Sequence, residues 1–202
     1  MRARRVGEHG LLVECDDLAE VAGAYAALAG RSAELGATEI VPAARTVLLD
    51  GLADVDAAAE LVAAIAPDAG AIRHVGGPEV EVPVTYDGPD LHEVARQWDV
   101  GVAEVARIHR DTTFVVAFCG FAPGFAYCTG LPADLAVRRR PEPRARVAAG
   151  AVALAGEFTG VYPSSSPGGW QLIGSTRLPV WRPDADPPAL LAPGTIVRFV
   201  DA

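Results

Sequence analysis

The sequence predicts an α+β protein of two domains. A small α+β domain runs to about Gly77, and a domain of short strands, a barrel or a sandwich, follows it. Three observations carry that reading. Up to Gly77 the apolar residues switch repeatedly between strand-type and helix-type spacing. Beyond the Gly76-Gly77-Pro78 break the strand-like runs are short and cut by Gly and Pro, the pattern of an all-β unit. Finally, 202 residues of which 50% are hydrophobic and 21% charged suffice for a real core and are not the composition of a disordered chain.

The elements follow in order. Arg5 to Glu14, flanked by Gly7 and Gly10, reads as a strand. Leu18, Val21, Ala22, Tyr25, Leu28 and Ala29 fall on one helical stripe. Glu39 to Pro42 and Thr46 to Asp50 read as a strand pair. Asp54 is placed to cap a helix with the stripe Val55, Ala58, Val62 and Ile65. Ala71 to Val75 closes the unit as a strand, and this βαββαβ order is that of a ferredoxin-like split βαβ sandwich. In the second domain Val80, Val82 and Val84 alternate around Pro83, which marks an edge strand. Asp90 and Glu93 stand at capping-box spacing before a helix from Leu91 to Trp98, and a second helix runs from about Val102 to His109. Phe114 to Phe118, Val152 to Ala155, Gln171 to Ile173 and Ile196 to Phe199 read as strands. His92 to Arg110 has the outline of a helix-turn-helix, but an acidic protein favours two amphipathic helices packed on the strands.

Composition excludes several functions. All 17 basic residues are Arg, so a lysine-bearing phosphate loop and Schiff-base chemistry are ruled out. A net charge of -9 argues against a nucleic-acid partner. Cys15, Cys119 and Cys128 are odd in number and lack metal-ligand spacing, so neither a disulfide framework nor a metal site is expected. The start, Met1 to Arg5, is not followed by an apolar run long enough for a signal peptide. The uncharged stretch Thr112 to Ala133 is broken by Gly120, Pro123, Gly124, Gly130 and Pro132, so no membrane span is expected and the location is read as cytoplasmic.

Two uncharged, bend-rich segments carry the candidate chemistry. The first holds Phe121, Pro123, Gly124, Phe125 and Tyr127, aromatics set among residues that let the backbone approach a ligand closely. The second runs from Thr159 to Trp170 and holds Tyr162, Ser164, Ser165, Ser166, Gly168, Gly169 and Trp170. Hydroxyls and exposed N–H groups in a bent backbone suit carboxylate or phosphate oxygens. Between them lie Arg138, Arg139, Arg140, Arg144 and Arg146, five guanidinium groups within nine positions, able to pair with an anionic substrate or an acidic partner. Ser164 to Ser166 lack a nucleophile elbow, and Cys119 and Cys128 read as packing residues. His109 is the histidine nearest the aromatic segment in sequence.

Gly120 to Tyr127, Gly130-Leu131-Pro132, Arg140-Pro141 with Pro143-Arg144, and Pro167-Gly168-Gly169-Trp170 with Gly174 resemble the allophanate hydrolase subunit 1 family. That family includes the kinase inhibitor KipI and the B components of bacterial 5-oxoprolinases, and the resemblance runs almost from end to end. It implies a ferredoxin-like domain over residues 1–77 and a cyclophilin-like β-barrel over residues 78–202. It further implies one component, inactive alone, of a 5-oxoprolinase that converts 5-oxoproline to glutamate with ATP and Mg, assembled with homologues of that enzyme's C and A components. No covalently bound cofactor is implied. A kinase inhibitor of KipI type, or a carboxyltransferase component for urea or allophanate, is the alternative. On this reading the two bend-rich segments converge to bind the small cyclic amide, Arg144 holds its anion, and His109 is the candidate for proton transfer.

Overall fold

Gly7 turns the chain back on itself near its start. The computed structural model describes residues 1–65 and 77–202, and in it Gly7 has φ 66°. The stretch expected as one strand is therefore a hairpin of β1 (Arg2–Val6) and β2 (Gly10–Glu14), with Val6 opposite Gly10. Every residue of β1 is exposed, so this strand carries no apolar alternation by which the sequence could announce it.

The chain divides into two units, Met1–Val75 and Gly76–Ala202. In the first, α1 (Leu18–Ala29), α2 (Ser32–Leu35), β3 (Glu39–Pro42), β4 (Thr46–Asp50) and α3 (Val55–Ala64) follow the hairpin. The described strands form an antiparallel sheet in the order β1-β2-β4-β3. Val21, Ala24 and Leu28 of α1 and Val55, Ala58 and Val62 of α3 are buried in one core with Leu11, Val13, Val47 and Leu49. Both longer helices start on an aspartate. Asp17 accepts from the Glu20 N–H, and Asp54 accepts from the Asp56 and Ala57 N–H groups, filling donors that a helix leaves unpaired. The expected strand at Ala71 to Val75, and Gly76 of the expected break, lie outside the described residues.

The second unit is a barrel. It contains β5 (Glu79–Val84), α4 (Leu91–Trp98), α5 (Val102–Asp111), β6 (Phe114–Cys119), β7 (Ala126–Thr129), a short 3-10 turn (Ala133–Leu135), β8 (Arg144–Val147), β9 (Ala151–Ala155), β10 (Phe158–Val161), β11 (Ser166–Gly168), β12 (Gln171–Ser175) and β13 (Ile196–Asp201). Seven strands form one sheet in the order β12-β9-β10-β7-β6-β13-β5. Thr85 and Ser175, at the two outer strands, exchange backbone hydrogen bonds of 2.9 Å each, which brings the sheet's ends together. Pro83, which cannot donate to a ladder, sits in the outermost strand β5, where that loss is tolerated.

Val82, Val84, Phe114, Val116, Val152, Leu154, Ile173, Val197 and Phe199 fill the interior. Helices α4 and α5 add Val94, Trp98 and Val105 to the same core, so the helix pair packs on the barrel as two amphipathic helices. The Trp98 indole N–H finds the Leu135 carbonyl at 2.8 Å, which satisfies its one polar atom. The remaining strands, β8 and β11, pair as a separate two-stranded ribbon.

Candidate functional site

The first bend-rich segment is a tight connection between β6 and β7. Gly120 N–H donates to Phe125 O at 3.1 Å and Phe125 N–H to Ala122 O at 2.9 Å. Gly124 has φ 80°, and a Cβ there would lie 2.6 Å from the Trp181 Cβ. Only glycine meets both conditions without strain. Replacing Gly124 by Ala is expected to cost about 3 kcal/mol, left-handed strain adding to overpacking. Its urea unfolding midpoint, compared with that of the native chain, checks this.

That turn points Phe125 inward and Phe121 outward. Phe125 is buried, whereas Phe121 is 63% exposed and itself adopts φ 70°, unusual for an aromatic residue. The second segment meets the first at these rings. Phe125 lies 5.2 Å from Tyr162 and 5.3 Å from Trp170, both edge to face, and 5.1 Å from Tyr127. Phe121 lies 6.5 Å from Tyr162. Edge-to-face packing sets the positive ring edge on the negative face. The two segments thus converge on one aromatic cluster beside the ribbon. Burial raises the phenol pKa of both Tyr127 and Tyr162, so both stay neutral donors.

Strand pairing accounts for the remaining predicted binding residues. Ser166 to Gly168 form β11 against β8, with Gly168 opposite Arg144. Part of the stretch expected as a turn of free N–H donors is therefore a strand, a pairing that its Pro and Gly residues conceal. Gly168 closely abuts Tyr162, since a Cβ there would be 2.2 Å from the phenol oxygen. Gly169 O accepts from Arg140 N–H at 2.8 Å. Pro123, Ser164 and Ser165 are exposed, and the Ser165 hydroxyl accepts from Arg146 Nε at 2.9 Å.

The arginine-rich stretch is organised by a residue that sequence reasoning assigns elsewhere. Asp90, expected to cap α4, makes no capping bond and turns inward. One carboxylate oxygen accepts from Arg144 Nη2 at 2.7 Å and from Arg140 Nη1 at 3.1 Å; the other accepts from Leu172 N–H at 2.7 Å. Asp90 is 5% exposed, while Arg140 and Arg144 retain 35% and 21% exposure at their side chains. Glu93 pairs instead with Arg96 and Gln97. The only hint in the sequence is an excess of Arg at 138 to 146; nothing local points from it to residue 90.

His109 is placed differently from the expectation. It lies in the barrel core, fully buried, its ring 4.3 Å from Phe199 and 5.0 Å from Phe114. Thr159 donates its hydroxyl to Ala153 O at 3.2 Å, so His109 Nε2–H must donate to Thr159 Oγ1, 2.8 Å away. His109 Nδ1 is then the acceptor for the Tyr86 hydroxyl at 2.9 Å. This one-way chain fixes the tautomer and occupies both ring nitrogens. Burial alone pushes the imidazole pKa down to about 3. A ring so enclosed, with both nitrogens engaged, packs as part of the barrel core. Its spacing of four from Val105, the other buried residue of α5, is the signal that marks it as a core position.

The cysteines are packing residues. Cys119 donates weakly to Leu191 O at 3.3 Å, and burial raises its thiol to about 11. Cys128 is buried and its thiol is likewise pushed up. Among the described residues no group of His, Cys, Asp or Glu could hold a metal ion. No helix among them is long and apolar enough to cross a membrane.

The barrel unit thus combines a closed sheet, a two-stranded ribbon, an aromatic cluster and a partly buried Arg–Asp–Arg set. Residues 1–191 match the family described as carboxyltransferase domain, subdomain C and D, and the chain belongs to that family. Over 144 residues it is 46% identical to the B subunit of 5-oxoprolinase from Bacillus subtilis (strain 168), a match that takes in 70% of this chain and 58% of that protein. Over 124 residues it is 48% identical to the B subunit of 5-oxoprolinase from Escherichia coli O157:H7, over 60% of this chain and 57% of that protein. The chain thus spans less than two thirds of the length of either relative. The crystal structure of TTHA0988 superposes with a TM-score of 0.77 at 32% identity, over 96% of this chain and 40% of that one. The Kluyveromyces lactis urea carboxylase shares the fold, with a TM-score of 0.70 at 18% identity over 99% of this chain and 21% of that one.

Proposed function

We propose that this chain serves as the B-type component of an ATP-dependent 5-oxoprolinase, opening 5-oxoproline to glutamate in a cytoplasmic complex with homologues of the enzyme's A and C components. The likeness to two proteins named as the B subunit of 5-oxoprolinase supports the reading. The observation that carries it is the meeting of the Phe125–Tyr162–Trp170 cluster with the Asp90–Arg140–Arg144 set across Gly168 and Gly169. A cyclic amino acid derivative needs both, an apolar wall for its ring methylenes and cations for its carboxylate.

A lactam amide is resonance-stabilised and resists water. ATP with Mg, bound non-covalently by the complex, would supply a phosphoryl group to the lactam oxygen and so open the carbonyl carbon to water; the ring C–N bond then breaks with a proton passing to nitrogen, and phosphate is released by hydrolysis to leave glutamate. This chain's share is binding and orientation. Arg144 holds the substrate carboxylate, Asp90 holds Arg144, and the aromatic rings exclude water from the reacting amide. His109 has no part in proton transfer on this account.

The test is reconstitution. The chain, mixed with the A and C homologues, ATP and 5-oxoproline, should release ADP only when the lactam is present. Replacing Arg144 by Ala should lower kcat/KM in that mixture more than tenfold while circular dichroism shows the fold intact. No lactam-dependent ADP release by the native mixture would overturn the proposal.

A further inference from the structure

An antiparallel sheet with helices on one face normally shows polar side chains on the other. The sheet of the first unit departs from that rule. Its register sorts the residues by face, because directly paired residues point to the same side and neighbours along a strand to opposite sides. Leu11, Val13, Val47 and Leu49 face the core they share with α1 and α3. Arg5 faces that side too, reaching Asp56 of α3 at 2.5 Å. The alternate residues line the face away from the helices. Across its middle Arg4, Leu12, Leu48 and Val41 stand in one row, one from each strand in sheet order. Leu12 and Leu48 are half-buried, and Val41 at the end of the row is 38% exposed. Val6, on the same face of β1, is 47% exposed. Phe121 is the one other large apolar side chain exposed among the described residues.

Charge divides this face. Arg2 and Arg4 stand on β1 at one edge. At the other edge Glu39 of β3 and Asp50 of β4 are directly paired, and like charges so placed repel. Among the described residues neither carboxylate makes an ion pair, nor does Arg2, and Arg4 reaches only Glu14, at 3.4 Å. A second copy supplies what each edge lacks. A two-fold axis parallel to the strands, between β2 and β4, lays β1 of one copy over β3 of the other. Each basic edge then meets an acidic one, and the leucines meet at the centre.

We propose that this sheet face joins two copies of the chain. Leu12, Leu48 and Val41 form the apolar centre, and the Arg2–Arg4 edge of each copy docks on the Glu39–Asp50 edge of its partner. Four strands about 4.8 Å apart and about 17 Å long offer about 300 Å2, against about 800 Å2 per partner in a standard interface. The pairing is therefore transient, with a Kd of about 10–500 µM. It does not depend on the function proposed above.

Sedimentation equilibrium of the full chain, from about 5 µM to about 1 mM, tests it. The salt is set at about 0.15 M, where charges more than about 8 Å apart are screened. The average mass of the native chain should climb with concentration toward that of two chains. Two double variants reverse the charges. Arg2→Glu with Arg4→Glu makes the face acidic throughout, and Glu39→Arg with Asp50→Arg leaves it net basic. Each variant alone should associate at least tenfold more weakly than the native chain, and an equimolar mixture of the two should regain native association. Recovery on mixing is a result that misfolding of either variant could not give. A native chain that stays single at about 1 mM, a variant that associates as the native chain does, or a mixture that stays single would each overturn the pairing. A native chain that stays single, with variants that no longer assemble with the C homologue, would give the face to that protein and overturn it as well.

Discussion

Replacing Asp90 by Ala is expected to destabilise the barrel unit by about 3 kcal/mol. The carboxylate accepts from two guanidiniums and from the Leu172 N–H. Removing it leaves two partly buried cations facing each other and a buried amide unpaired. The cost falls at the low end for a broken buried ion pair because Arg140 and Arg144 retain 35% and 21% exposure and recover some hydration. Asp90→Asn keeps one acceptor oxygen but turns an NH2 toward a donor, so about 2 kcal/mol is expected. All three tryptophans, Trp98, Trp170 and Trp181, lie in this unit, so their fluorescence follows its unfolding in urea. The midpoint should fall with an unchanged slope. A native midpoint in Asp90→Ala would show that the carboxylate does not tie β12 to the ribbon.

The second large effect is a dependence on pH. His109 titrates near its ordinary value of 6.5 when unfolded and at about 3 when folded, so between these limits the unfolded chain binds the extra proton. Stability is fully present above pH 6.5 and is lost as the pH falls, by about 1.4 kcal/mol per unit down to pH 3. At pH 5 the loss amounts to about 2 kcal/mol. His109→Gln cannot take up that proton. It should be less stable than the native chain at pH 7, where it breaks the chain from Tyr86 to Ala153, yet lose about 2 kcal/mol less on acidification to pH 5. Parallel losses in the two proteins would show that His109 is hydrated in the folded state.

What can be read from the residues, and what cannot, divides by the range of the interaction. The strands Glu39–Pro42 and Thr46–Asp50 and the cap at Asp54 depend on neighbours within a few positions, and they stand where the sequence places them. The convergence of the two uncharged segments is also legible, because Gly and aromatic residues crowd only where backbone or ligand comes close. Asp90 misleads because its partners are 50, 54 and 82 residues away while a plausible local one, Glu93, stands three positions on. Nearness in sequence draws His109 toward the aromatic segment, although helical spacing from Val105 turns it into the core. Strands β8 and β11 escape notice because four and three residues are too few to establish a period, and β11 is made of Ser, Pro and Gly.

The joint at Thr85 and Ser175 has a mechanical side. From that joint the chain continues along β12 through Gly88 N–H to Ile173 O and Asp90 N–H to Leu172 O, and the Asp90 carboxylate on the Leu172 amide is the last fastener in the row. Whatever tightens the guanidinium pair on that carboxylate therefore also draws the barrel's zip closed. Deuterium uptake at Leu172 and Ser175 becomes a gauge of events at the guanidinium pair, slowing when it is engaged and quickening when Asp90 is lost.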